Sequence, residues 1–283
     1  MILPTATLRA ACAACLLVLA SACAARTPLI QLPAGQGEPA ADGQQVVDEA
    51  AADCARVSSL IAESSVSGSV EGQRVRGTLH LGVASPASAR IEAVAPFGRP
   101  LFTFVARDSS GTLLLTRPDR VVADASPAAL LETVTGVPLD APGLLAALAG
   151  CARQPEVRAA RQIGKNWRVV PDGVAELYFN RSSASARWQL VAALHQDARS
   201  GPWRAEYHER GVEGVPRTLR LASRRDDGFD LRLALSQVEV NAPLDAAAFE
   251  IAVPAGAQKL TLEELREGAV LSDVVDDDGA GAP

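Results

Sequence analysis

Residues 126–150 read SPAALLETVTGVPLDAPGLLAALAG, and they decide the fold because the chain on either side follows a different period. Ser126 suits a helix N-cap, Pro127 the first helical position and Gly136 a left-handed stop. Between them Leu130, Leu131 and Val134 recur at helical spacing. A second short helix runs from Asp140 through Ala149 and carries Leu144, Leu145 and Leu148. The pair is much more apolar than two solvated helices would be, so it must lie over an apolar surface.

Both flanks supply that surface as strands. In RVRGTLHLGV (74–83), Val75, Leu79, Leu81 and Val83 face one way, and Arg74, Arg76, Thr78 and His80 the other. Further strands fall at 88–95, 101–107 and 111–116, with Asp108-Ser109-Ser110-Gly111 as a hairpin turn. After the helices come strands near 156–163, 166–171, 174–180, 186–196, 203–210, 216–224 and 229–240. In the last, Phe229, Leu231, Leu233 and Leu235 alternate with polar or small residues before the phase slips to Val238 and Val240. A bulge near Ser236-Gln237 would allow that slip. Phe249–Pro254 reads as a short edge strand, and residues 260–267 as a closing helix. Ahead of the sheet, residues 46–64 place Val47, Ala51, Cys54, Val57, Leu60 and Ile61 near one helical face. The expected fold is mainly β (α+β): one large, curved antiparallel sheet whose concave face the two central helices cover as a lid or plug.

The chain has 283 residues, a formal charge of −6, 48% hydrophobic residues and only 4% aromatics. That suffices for one large core. Lys165 and Lys259 are the only lysines, and no dense Lys/Arg block marks a nucleic-acid surface. Residues 1–22 carry Arg9, an apolar run through Leu16–Leu19 and small residues before Cys23. This is secretory-signal grammar, too short for a permanent membrane span. Leu19-Ala20-Ser21-Ala22-Cys23 resembles the lipobox of bacterial lipoproteins, which implies acylation of Cys23 and cleavage before it. Cys15 is a weaker anchor, and an ordinary signal cut near Ala22 or Ala25 is the plain alternative. Removing Arg9 with the signal leaves 26 basic against 33 acidic residues. Residues 23–45, rich in Pro, Gly, Gln and Ala, read as an acylated cysteine and flexible tether. The folded domain is expected over 46–267, and 268–283 as a disordered acidic tail.

Cys54 and Cys151 remain beside Cys23 in the exported chain, where they either form a disulfide or stay as two buried thiols. His80, His195 and His208 are scattered, and the mature chain has no CxxC, so no metal site is expected. His195 and His208 are expected to face solvent. No GxSxG, HExxH, P-loop or GxGxxG is present. Glu263-Glu264 and Asp226-Asp227 read as solvated charge. Neither an enzyme nor a cofactor is expected.

Four segments resemble the outer-membrane lipoprotein receptor family LolB and its LolA-like and RseB-like relatives. Ala95-Pro96-Phe97-Gly98 with the apolar strand at 101–105 is similar to the family's Pro-Leu-Gly loop and following strand. Thr135-Gly136-Val137-Pro138-Leu139, then Gly143-Leu144-Leu145 and Leu148-Ala149-Gly150, resembles its Thr-Gly-X-Pro turn and Gly-ended helix. Trp203–Tyr207 and Pro216–Leu221 resemble two later strands. The resemblance spans roughly residues 46–241. It implies an incomplete antiparallel barrel that holds acyl chains beneath a helical lid. Phe97 stands where the receptor exposes a Leu for membrane insertion, and the extension beyond Asn241 departs from the compact receptor.

The expected function is therefore acyl-chain binding by a lipoprotein anchored in the outer membrane through Cys23 and facing the periplasm. Its cargo would be lipoproteins or lipids, delivered by a soluble LolA-like carrier. Phe97 is the candidate insertion residue; Phe102, Phe104, Leu130, Leu131, Leu144, Leu145 and Leu148 are the candidate cavity lining. The alternative is a non-catalytic sensor or scaffold that binds a protein partner on the same sheet.

Overall fold

Alternating side chains lay down two antiparallel meanders in the computed structural model, which describes residues 28–52, 54–95, 98, 100–116, 119–151, 157–197, 201–225 and 228–267. The first meander is β2 (Ser59–Val70), β3 (Gln73–Ala84), β4 (Ser88–Val94), β5 (Pro100–Arg107), β6 (Ser110–Thr116) and β7 (Asp119–Ala125). The second is β8 (Arg161–Ile163), β9 (Trp167–Pro171), β10 (Ala175–Asn180), β11 (Gln189–Asp197), β12 (Gly201–Arg210), β13 (Pro216–Ser223) and β14 (Phe229–Val240). Two-residue strands extend both ends: β1 (Glu38–Pro39) pairs with β8, and β15 (Gln258–Lys259) runs parallel to β7.

The meanders become one sheet because β14 returns to pair with β2, from Phe229 opposite Val70 to Val240 opposite Leu60. The 15-stranded sheet runs from β1 through β8–β14 and β2–β7 to β15, curved and unclosed. Leu60, Ala62, Val66 and Val70 of β2 and Leu231, Leu233 and Leu235 of β14 share the concave core. The expected bulge in β14 is present: the register shifts between Ser236 and Glu239, and Gln237 takes a φ of 50°.

Among the described residues four α-helices accompany the sheet: α1 (Gly43–Ala51), α2 (Pro127–Thr135), α3 (Ala141–Ala149) and α4 (Leu262–Glu267). The connection between the meanders is α2–α3, as residues 126–150 predict. Gly136 ends α2 in a left-handed conformation (φ 73°), and Asp140 caps α3 by accepting from the Gly143 N–H at 2.7 Å. Helix α1 packs against β9 and β11, α2 against β6, and α3 against β3 and β13.

Three expectations need correction. Helix α1 stops at Ala51, and Ser59–Ser64, read as its continuation, belong to β2. Leu60, Ala62 and Val66 alternate inward there, and pairing on both sides outweighs a local helical period. Phe249 ends a short 3₁₀ turn (Ala246–Phe249) instead of starting an edge strand, because its buried ring plugs the segment onto the sheet. The folded body also begins before residue 46. Leu32 packs beside Val169, Tyr178 and Ala192, and Glu38–Pro39 joins the sheet.

Asp42, within the stretch read as tether, fixes this early segment. Its carboxylate accepts two hydrogen bonds of 2.8 Å from Arg168, whose guanidinium lies 4.9 Å from the Trp188 ring centre. The Arg168 hydrogen bonds hold the Asp42 carboxyl below its ordinary 3.8, outweighing desolvation. A folded-state pKa below the unfolded one contributes stability that is complete above 3.8 and lost as pH falls through the folded value. Asp42→Asn is therefore expected to cost about 1 kcal/mol above that pH, since Asp42 is part-exposed, and almost nothing well below it. Urea midpoints of both chains on either side of the window check this.

Candidate functional site

The concave face is solid at one end and hollow at the other. Phe104, Leu113 and Leu130 are fully buried and fill the space where α2 begins. Gly111 permits that approach, because a Cβ there would sit 3.0 Å from Leu130 Cδ1 and 3.2 Å from the Pro127 backbone. The start of α2 thus rests directly on β6, while its second half borders an empty space.

Beneath that second half lies a cavity of about 670 Å³. Its lid side is Leu131, Val134 and Thr135 of α2, Val137 and Leu139 of the linker, and Leu144 and Leu148 of α3. Its sheet side includes Val66 and Val70 of β2, Val75, Leu79 and Leu81 of β3, Ala93 of β4, Phe102 of β5 and Leu231 and Leu233 of β14. The volume lies in the ~300–1,000 Å³ range of sites that enclose a ligand.

Strand pairing breaks beside the cavity. Strand β4 pairs with β3 only from Thr78–Val94 onward, whereas Gln73–Gly77 of β3 pair with β2 alone. Arg74 and Arg76 lie in this unpaired stretch, are exposed, and border the cavity. Gly77 marks the point of divergence, where a Cβ would lie 2.7 Å from the Val94 carbonyl oxygen.

Of the candidate lining residues, Phe102, Leu131, Leu144 and Leu148 border the cavity. Phe104 and Leu130 do not; both are sealed in the solid end of the core. Leu145 is half-buried against the core and also stands off the cavity. Sequence reasoning missed Val134, Val137, Leu139, Ala93 and the contributions of β3 and β14. Its inward-facing sets in β3 and β14 held the signal, but nothing marked which layer is hollow. Cys54 and Cys151 form a disulfide with Cα atoms 5.7 Å apart, joining the turn after α1 to the end of α3. Cys23 and Phe97 lie outside the described residues. Ala95 and Leu101, which flank the Phe97 loop, both border the cavity.

The two strand histidines are not solvent-facing as expected. His195 stacks on Trp203 with ring centroids 3.9 Å apart and planes 7° from parallel, and desolvation there lowers its pKa from 6.5. His208 is half-buried beside Glu206, at 3.2 Å, and Arg204 meets the other oxygen of that fully buried carboxylate. Tyr207, on the concave side of β12, has its hydroxyl pushed up to about 12 by complete burial. None of these groups borders the cavity, and among the described residues no cluster of His, Cys, Asp or Glu could hold a metal ion.

Neither a known family model nor a curated protein matches this sequence. Solved structures do. A LolA superfamily protein from Nitrosomonas europaea superposes with a TM-score of 0.53 over 74% of this chain and 97% of its own, at 11% identity. The fold is LolA-like. A DUF1329 family protein from Desulfovibrio piger matches with a TM-score of 0.50 over 73% of this chain and 96% of its own, at 9% identity. Identities this low carry the LolA-like fold alone, so any ligand must be argued from this chain's own cavity.

Proposed function

We propose that this chain is a periplasm-facing lipoprotein, anchored in the outer membrane through acylated Cys23, that takes up acyl chains and passes a lipid or lipoprotein on to that membrane. The observation that carries the reading is the hollow beneath α2 and α3. A closed core would fill about 670 Å³ with side chains, whereas this fold leaves it lined by Leu, Val and Phe and open at one side. Each acyl methylene entering it contributes ~0.8 kcal/mol, enough to compete with a bilayer without any catalytic group. Hand-over from a soluble LolA-like carrier then needs only a modest difference in affinity between the two proteins.

Native mass spectrometry of the chain from residue 23, with Cys23→Ser to keep it free of lipid, tests uptake against a triacylated lipoprotein. A complex that disappears when the cargo's acyl chains are removed is the expected result. A well-folded chain that forms no such complex overturns the reading and leaves a sensor or scaffold.

Delivery depends on the loop between Ala95 and Leu101. Phe97, flanked in sequence by Pro96 and Gly98, is the apolar residue assigned to membrane entry. Phe97→Glu is expected to leave uptake unchanged and to slow transfer into liposomes at least about tenfold, since a carboxylate resists insertion among acyl chains. Equal transfer rates would remove Phe97 from the delivery step.

A further inference from the structure

Among the described residues, the charged ones bordering the cavity are both arginines, in a chain whose net charge is −6. Arg74 and Arg76 are two apart on one strand, so their side chains leave the same face, opposite to Val75, with origins roughly 7 Å apart, and they meet the cavity border around the strand edge that β4 leaves free. Other arginines of the sheet are engaged by carboxylates: Arg90 by Glu92, Arg161 by Glu176, Arg168 by Asp42 and Arg220 by Asp230. Among the described residues, Arg74 and Arg76 have no such partner. They stand exposed where β3 outruns β4, at the border of the apolar space. Two neighbouring like charges repel.

Resting on the acyl-binding reading, we propose that the ligand is an acyl lipid with an anionic headgroup, its phosphate or carboxylate held between Arg74 and Arg76 while its chain lies in the cavity. Guanidinium groups suit this role because their forked N–H donors match the oxygens of either anion. The spacing allows both to reach one phosphate. The arrangement also orders the ligand: its chain points under α2 and α3, and its head stays at the free edge of β3. A neutral amphiphile of the same chain length would fill the cavity and leave the arginines unanswered.

The test displaces a fluorescent acyl probe from the chain beginning at residue 23 and carrying Cys23→Ser. Oleoyl lysophosphatidic acid and monooleoylglycerol share one chain and differ in head, and each is used below its micelle threshold. The anionic lipid is expected to bind roughly tenfold tighter at low salt, and less so as salt screens the pair. Arg74→Gln with Arg76→Gln should abolish that preference and leave monooleoylglycerol binding unchanged. Inorganic phosphate alone should not displace the probe. Equal affinity for both lipids overturns the proposal while sparing acyl binding, as does a preference that survives the double substitution. Displacement by inorganic phosphate overturns it in favour of a free-anion site. Binding of neither lipid overturns the acyl reading itself.

Discussion

Ala93→Phe combined with Val134→Phe is expected to weaken acyl-chain binding at least fiftyfold or so while leaving the chain as stable as before. Ala93 points inward from β4, paired with Leu79 on one side and Phe102 on the other, and it borders the cavity. Val134 borders the same space from α2. Larger side chains usually strain a packed core, but here they enter space the fold leaves empty. Excluding about three methylenes of a ligand at ~0.8 kcal/mol each removes ~2.4 kcal/mol, or roughly fiftyfold in affinity. Probe titration and a urea melt on the same sample separate the two effects. Unchanged affinity with intact stability would show that acyl chains do not use this cavity. A fall in stability of several kcal/mol would show that the space is not free to be filled.

The opposite outcomes at neighbouring positions explain how far the sequence could be read. Period-two alternation identified the inward faces of β3 and β14 correctly, since a strand has only two faces to choose between. The helical period likewise found α2 and α3, and the Gly136 and Asp140 punctuation located their ends. What periodicity does not encode is depth along a face. Leu130 and Leu131 are adjacent and equally apolar, yet Leu130 is sealed against β6 while Leu131 overlooks the hollow. The difference is set by Gly111, some twenty residues away, which lets one end of α2 approach the sheet. Phe104 and Phe102 divide in the same way on β5. The free edge of β3 was equally hidden, because it arises where Gln73–Gly77 extend past the last β4 pairing. The error at Ser59–Ser64 has a related cause. Its apolar residues fit a helix and a strand nearly as well, and the partners β3 and β14 decide the matter.

The disulfide sets both the stability of the body and the direction in which the lid can move. Cys54 and Cys151 are 97 residues apart, and cross-linking a loop of that length restricts the unfolded chain by about 4–5 kcal/mol in the entropic account. Cys54→Ala with Cys151→Ala is accordingly expected to cost about 3–4 kcal/mol, the removal of two small buried groups adding little. The urea midpoint should fall and the slope should rise, because the unfolded chain without the bridge exposes more surface. A loss under about 1 kcal/mol would mean that the folded contacts around Ala51 and Ala149 hold the segment without the bond. The bond also pins the C-terminal end of α3, where Arg210 donates to the Gly150 carbonyl at 3.1 Å. The far end of α3 is held by its own Asp140 cap, by the buried Ala141, and by Leu139 and Leu144 at the cavity wall. Opening should therefore begin in the 136–140 linker and swing about the bridged end, widening the cavity from the side of Val137 and Leu139. Amide exchange in the oxidised chain should be fastest at that linker and slow toward Gly150. In the double-alanine chain the gradient along α3 should flatten, because the fixed end of the hinge is gone.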